Sequence, residues 1–319
     1  MLTSLTLGTR GSELALAQAT LTKAALESAW PGLRVEQEII HSTGDLRQDL
    51  KLSEFNRGPN PVDKGIFTKE LEMALEAGKI HVAVHSLKDV PTELGAGFRI
   101  IAVLPRAANE DVLVSKTPGG PDGLPAGAIV ATSSVRRARQ LQYLRPDLKV
   151  EAIRGNVPTR LRKLAEAPHL AALLLARAGL DRLSLSAATS HLSGVELHQE
   201  ILPVSEFLPA ASQGAIALEV FGENEALENC LAAINHAPTF QCIQAERHFL
   251  HLLKAGCQTP VGLATSLDGD TLRMDARVFS EADPAAPPLT AQAIGSGQFP
   301  EQVAAALMAN LQPHDAAAE

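Results

Sequence analysis

Ile80-His81-Val82-Ala83-Val84-His85-Ser86-Leu87-Lys88-Asp89-Val90-Pro91 puts Val82 and Val84 on one side of an extended chain and turns polar just before a proline. Alternation of this kind, closed by a residue that cannot donate to a sheet, predicts a buried strand. In an open α/β sheet the carboxyl ends of strands face the ligand, so this one would deliver Ser86, Lys88 and Asp89 to a site. A carboxylate beside a lysine stays ionised, ready to accept hydrogen bonds or stabilise a cation. A solvated Lys88-Asp89 turn pair is the plain alternative.

Upstream, Leu5-Thr6-Leu7, then Gly8-Thr9-Arg10-Gly11-Ser12 and a periodic segment, read as strand, turn and helix. Ser12 is placed to cap the helix, its apolar stripe reads as Leu14, Ala17, Leu21 and Ala24, and Trp30-Pro31-Gly32 ends it. A helix start beside Arg10 suits an anion, while capping alone accounts for Ser12. Arg34 to Ile40 is a second strand. Residues 46–63 have no usable period and read as a loop long enough to be a lid. Lys64 stands where that loop meets an amphipathic helix over 65–75, which carries Phe67.

After Pro105 the pattern restarts. Residues 111–114 and 128–131 read as strands, and Thr132-Ser133-Ser134 opens a helix bearing Arg136 and Arg137, a loose echo of residues 5–18. A strand over 150–153 ends in Arg154-Gly155-Asn156-Val157-Pro158-Thr159-Arg160, and proline suits a first helical turn. Arg154 and Arg160 then sit near a helix start, where cations oppose the dipole and an anion is favoured. Residues 171–176 form a buried strand, Arg177 to Leu183 follow it, and 184–200 read as helical. Gln213, between Pro209 and Gly214, fits a hinge, a backbone approaching a ligand, or a plain connection. A third section starts near Gly222, with helices over 224–234 and 239–253, a hairpin over 263–279 turned at Asp268-Gly269-Asp270, and a last helix over 301–311.

The 319 residues carry a net charge of -8, which argues against a general nucleic-acid or membrane-surface binder. Residues 1–10 show no basic segment followed by an apolar run, so no leader and a cytoplasmic location are expected. Three distant cysteines make no disulfide framework. Cys230 and Cys242 fall in helical patterns and read as packed thiols. Cys257 lies in a loop between Gly256 and Pro260 and reads as an attachment point or nucleophile, with no histidine paired to it as a Cys-His hydrolase would need. His81 and His85 have ligand-like spacing but read as structural on a strand, and no metal is expected.

Thr9-Arg10-Gly11-Ser12, Val84 to Pro91, Thr132 to Arg137, Arg154-Gly155-Asn156-Val157 with Thr159-Arg160-Leu161, and Gly256-Cys257-Gln258-Thr259-Pro260-Val261-Gly262 occur in a specific order and spacing. Together they resemble the porphobilinogen deaminase (hydroxymethylbilane synthase) family from about Leu5 to Gly262. The resemblance implies an α/β fold with two periplasmic-binding-protein-like (type II) lobes around a cleft plus a small C-terminal α/β domain. Domain 1 would cover 1–105 plus about 208–222, domain 2 106–207, and domain 3 223–319. It also implies a transferase that deaminates porphobilinogen and joins four molecules head to tail into hydroxymethylbilane, in tetrapyrrole biosynthesis.

By the same resemblance, a dipyrromethane cofactor is thioether-linked to Cys257, and Asp89 is the catalytic carboxylate. Lys88, Ser12, Arg136, Arg137, Lys64, Thr132, Ser134 and Arg160 would bind the cofactor. Arg10, Arg154, Arg160, Arg182, Phe67, Ser86 and Gln213 would face the substrate. Porphobilinogen and water would be the small-molecule partners of a monomer that uses no nucleic acid, membrane or metal. The chain departs from the family pattern in its lid, with extra residues around 57–61 and Asn60 near the place of a lysine, and at Arg177 and Ser212, the latter replacing a glycine. A non-catalytic two-lobed anion-binding module is the competing reading; it would keep the arginines and have no use for Cys257 or Asp89.

Overall fold

The computed structural model describes residues 2–41, 68–255, 259–283 and 286–313. Two compact units divide the chain, Met1–Ala107 with Gly214–Phe240, and Ala108–Gln213 with Gln241–Glu319. The architecture is mixed α/β, with a sheet-based lobe in each unit and a smaller C-terminal sheet in the second.

In the first unit β1 (Ser4–Thr9) pairs in parallel with β2 (Arg34–Ile39) and β3 (Val82–Ser86). β4 (Phe98–Val103) forms the far edge, and β11 (Ile216–Phe221) lies between β3 and β4, antiparallel to both. Alternation sorts the side chains by face. Val82, Val84, Ile216, Leu218 and Val220 join Leu5, Leu7 and Leu26 in one core, beneath α1 (Glu13–Ala29). Ala83 joins Ile80, Leu71, Ala74 and Leu75 on the other face, beneath α2 (Lys69–Glu76).

The stripe read for α1 is corrected: Gln18, Ala19, Thr22 and Leu26 are its buried residues, while Leu21 is 48% exposed. Polar residues can take the inward face because their groups are satisfied there. Gln18 Nε2 donates to Ser86 Oγ at 2.7 Å, and Thr22 Oγ1 donates to the Gln18 carbonyl at 3.0 Å.

The second unit holds the sheet β7-β6-β8-β5-β10-β9. Its strands are β5 (Asp111–Ser115), β6 (Ile129–Ala131), β7 (Lys149–Glu151), β8 (Leu170–Ala176), β9 (Thr189–Leu192) and β10 (Val195–Ile201). Its helices are α3 (Val135–Leu144), α4 (Val157–Glu166) and the short α5 (Arg177–Arg182). The helical reading of 184–200 is overturned here. Ser193 and Gly194 both have positive φ, 52° and 77°, and close a hairpin with Leu192 opposite Val195. A two-residue turn of that hand matches strand twist, and its cue in the sequence was the Ser-Gly pair.

α6 (Glu225–Ala232) adds Leu227, Cys230 and Leu231 to the first unit's core. α7 (Ala237–Leu252) follows. The antiparallel sheet β12 (Val261–Asp268), β13 (Thr271–Val278), β14 (Leu289–Ser296) and β15 (Gln312–Pro313) packs Leu263, Leu272 and Met274 against Phe249 of α7 and Leu307 of α8 (Pro300–Ala309). β14 had no reading in the sequence.

Leu218 is fully buried on the strand that completes the first sheet. Leu218→Ala is expected to cost about 3 kcal/mol, as core truncations do, read as a lowered urea midpoint with an unchanged slope.

Candidate active site

β3 ends in a single 3-10 turn, Leu87–Asp89. Leu87 is fully buried and Val90 nearly so, whereas Lys88 and Asp89 between them are exposed. Two apolar anchors thus pin a turn that presents two charges. The Leu87 N–H donates to the Ala215 carbonyl at 3.1 Å, carrying the β3–β11 ladder one residue past the strand. Asp89 lines a pocket with Arg10, Ser12, Gln18, Thr68, His85 and Ser86. Ser12 is the cap of α1, accepting from the Ala15 N–H at 3.3 Å, and Thr9 Oγ1 donates to the Ala15 carbonyl at 3.1 Å. The predicted residues Arg10, Ser12, Ser86 and Asp89 therefore meet in one place.

Thr132 and Ser134 repeat that arrangement in the second unit. Ser134 caps α3 by accepting from the Arg137 N–H, and Thr132 Oγ1 accepts from the Ser134 N–H at 3.2 Å. Thr9 and Thr132 are both buried. Arg136 and Arg137, 5% and 6% exposed, converge on Asp111, which is fully buried. Arg136 Nη1 reaches Oδ2 at 2.7 Å, and Arg137 Nε and Nη2 reach Oδ1 at 2.9 and 2.7 Å. Gln213 Nε2 adds a bond to Oδ1 at 3.0 Å and another to the Asn109 carbonyl at 2.7 Å. Burial alone would raise the Asp111 carboxyl, but the two guanidiniums outweigh it and hold it below the usual carboxylate range.

Arg154 and Arg160 flank the start of α4, which Asn156 caps and Pro158 opens. Arg160 Nε donates to the Gly155 carbonyl at 2.7 Å, and Lys163 Nζ donates to the Arg154 carbonyl at 3.0 Å. Gly155 has φ +112°, and a Cβ there would stand 2.6 Å from Thr159 Cγ2, so both conformation and space call for glycine. Burial pushes the Arg182 guanidinium down to about 10 despite nearby Asp181, so it stays charged at neutral pH. Arg177 is held by Glu110 at 3.0 Å. Ser212 has φ +63°, a conformation that favours glycine; its N–H donates to the buried Glu246 carboxylate. Lys64, Phe67, Cys257 and the lid departures lie outside the described residues.

Sequence reading missed Asp111, Gln18 and Glu219. Asp111 alone left a cue, as a charged residue opening an otherwise apolar strand. His81 and His85 do serve hydrogen bonding: His81 Nδ1 accepts from the Thr6 N–H at 3.0 Å, and His85 Nε2 donates to Glu219 Oε2 at 2.9 Å.

Residues 5–229 match the family model "Porphobilinogen deaminase, dipyromethane cofactor binding domain". The chain belongs to the porphobilinogen deaminase family. Residues 240–307 match that family's C-terminal domain. The porphobilinogen deaminase of Syntrophomonas wolfei is 43% identical over 277 residues, covering 87% of this chain and 85% of the relative. That of Rubrobacter xylanophilus is 42% identical over 316 residues, covering 98% and 95%. Among solved structures, the methionine binding protein MetQ aligns with TM-score 0.40 and 11% identity over 80% of this chain and 96% of its own.

The donor set fits a dipyrromethane of the porphobilinogen deaminase family. Hydroxyls, cap-site N–H groups and guanidiniums suit carboxylate side chains, and a presented carboxylate suits pyrrole N–H groups.

The Asp111 cluster yields a signed prediction. A carboxyl held below its ordinary 3.8 stabilises the fold above that value and loses this contribution as pH falls beneath it. Asp111→Asn is expected to cost about 3–5 kcal/mol at pH 7, since two buried guanidiniums lose their counter-charge. Its urea midpoint should also fall less steeply than the wild type's between pH 5 and about pH 2.

Proposed function

We propose that this chain deaminates porphobilinogen and joins four molecules head to tail into hydroxymethylbilane, with Asp89 as the catalytic carboxylate and Cys257 as the cofactor's thioether anchor. The observation that carries this is Asp89, pinned between buried Leu87 and Val90 in a pocket shared with Arg10, Ser12 and Ser86, in a chain of this family.

The dipyrromethane, when bound, supplies the free pyrrole carbon that the first substrate unit joins. All other chemistry falls to side chains. The Asp89 carboxylate accepts a hydrogen bond from the substrate's pyrrole N–H. It stabilises the positive charge that develops as the C–N bond breaks and ammonia leaves with the electron pair. That charge passes to the attacking ring as the new C–C bond forms, and it is discharged when the bonded carbon of that ring loses its proton to water. Arg10 and Lys88 hold acetate and propionate groups near Asp89; Thr132, Ser134, Arg154, Arg160 and Arg182 do so in the second unit. Lys64 and Phe67 complete the set from the sequence. Arg136 and Arg137 share one carboxylate, so their cluster keeps a net positive charge beside the α3 start and attracts anionic side chains. Gln213 acts by fastening Asp111. We read the protein as a cytoplasmic monomer whose product is released by water.

Asp89→Ala is expected to fold, to retain bound cofactor and to lose turnover by at least about a hundredfold, measured as ammonia release. Turnover near the wild-type rate would overturn the assignment of Asp89. Intact mass of the purified protein should exceed the chain mass by two linked pyrrole units, mapped to the peptide holding Cys257. Cys257→Ser should lose that increment, and an active serine variant without it would refute the anchor.

A further inference from the structure

We infer that the buried Glu219–His85 pair is a positioning unit for the Asp89 pocket, acting through its charge as well as its shape. The inference rests on the reading of Asp89 given above.

Glu219 stands on β11 opposite Ala83, on the sheet face covered by α2. It is fully buried among residues where an aliphatic side chain would serve packing. Its Oε2 accepts from His85 Nε2 at 2.9 Å, while Oε1 has no hydrogen-bond partner among the described residues. A carboxylate kept wholly out of water with an unsatisfied oxygen costs stability that an apolar residue would not. His85 lies one residue before Ser86 and lines the pocket with Asp89 and Arg10.

His85 is therefore part of that pocket's wall, and Glu219 holds it from behind. A hydrogen bond fixed at one ring nitrogen sets the orientation of an imidazole. The charged groups facing His85 are Glu219 from β11, Glu72 from α2, and Arg10 and Asp89 in the pocket. Burial, with Glu219 adding to it, pushes the Glu72 carboxyl up, and His85 pulls against it. The three groups thus share one electrostatic environment behind the turn that presents Asp89. A change in charge at Glu219 would be felt at the catalytic carboxylate while leaving every substrate contact in place.

Glu219→Gln keeps the volume and an acceptor for the His85 N–H and removes the charge. The expected result is a folded protein that carries its pyrrole mass increment, with KM within about twofold, kcat lowered about tenfold, and a displaced pH profile of kcat. Unchanged kcat and pH profile per cofactor-loaded molecule would overturn the inference. A loss of activity fully accounted for by a smaller number of folded, loaded molecules would do so too, because that is all a purely structural role predicts. Should the variant not fold, imidazole nitrogen NMR on the wild-type holoenzyme and on its Asp89→Asn variant decides the matter. Coupling requires the His85 titration to move between the two, and an identical titration overturns it. An active Asp89→Ala variant would instead remove the underlying reading. An inactive Asp89→Ala beside a wild-type-like Glu219→Gln would remove only this inference.

Discussion

β11 is inserted between β3 and β4, and the first unit depends on that insertion. The strand returns to this sheet more than a hundred positions after β4, yet closing so long a loop costs little more than closing a short one, because the entropy grows only logarithmically with length. With β1 on one edge and β11 on the other, β3 has no free edge. The bond from Leu87 to Ala215 then extends the ladder into the turn. The exposed Asp89 is thus held by backbone pairing and two buried apolar anchors. A charged group on such a support is fixed by the scaffold and does not rely on its own contacts for its position.

Two fully buried carboxylates show opposite solutions to one electrostatic problem. Asp111 is satisfied by bonds from Arg136, Arg137 and Gln213. These partners come from α3 and from the segment before β11, so one carboxylate ties three parts of the second unit together. Gln140 fastens the same segment, its amide donating to the Leu208 carbonyl and accepting the Leu208 N–H, at 2.9 and 2.8 Å. Glu219 has a single described partner, His85. Full satisfaction marks a structural knot, whereas partial satisfaction beside a pocket marks a group held in place at some cost to stability.

How far the sequence could be read follows from the kind of force at each position. The β3 turn was readable because alternation, a charged pair and a proline are local signals. Ser12 was readable as a cap, and Thr132-Ser133-Ser134 as the opening of a helix, for the same reason. The inward face of α1 was not, because Gln18 and Thr22 are buried through partners distant in sequence or through backbone bonds that hydropathy does not register. The 189–201 hairpin was lost to a helical reading although Ser193-Gly194 carried its turn. Asp111 and Glu219 each acquire meaning only from partners 25 or more residues away. Spacing could not find them; the family likeness fixed the reaction class without showing these bonds.

The net charge of -8 and the proposed polyanionic substrate are compatible because charge acts over short distances. At physiological salt the screening length is about 8 Å, so carboxylates on remote surfaces contribute little at a given binding group. The local arrangement decides, and here cations stand at helix starts where the dipole already favours anions. Arg160 is braced by the Gly155 carbonyl, and Lys163 braces the Arg154 carbonyl, so that turn is ordered by bonds within the protein. Order supplied in this way lowers the entropy lost when an anionic chain binds. It also explains why Gly155 is required at φ +112°, since no other residue allows the Arg154 and Arg160 turn to close against Thr159.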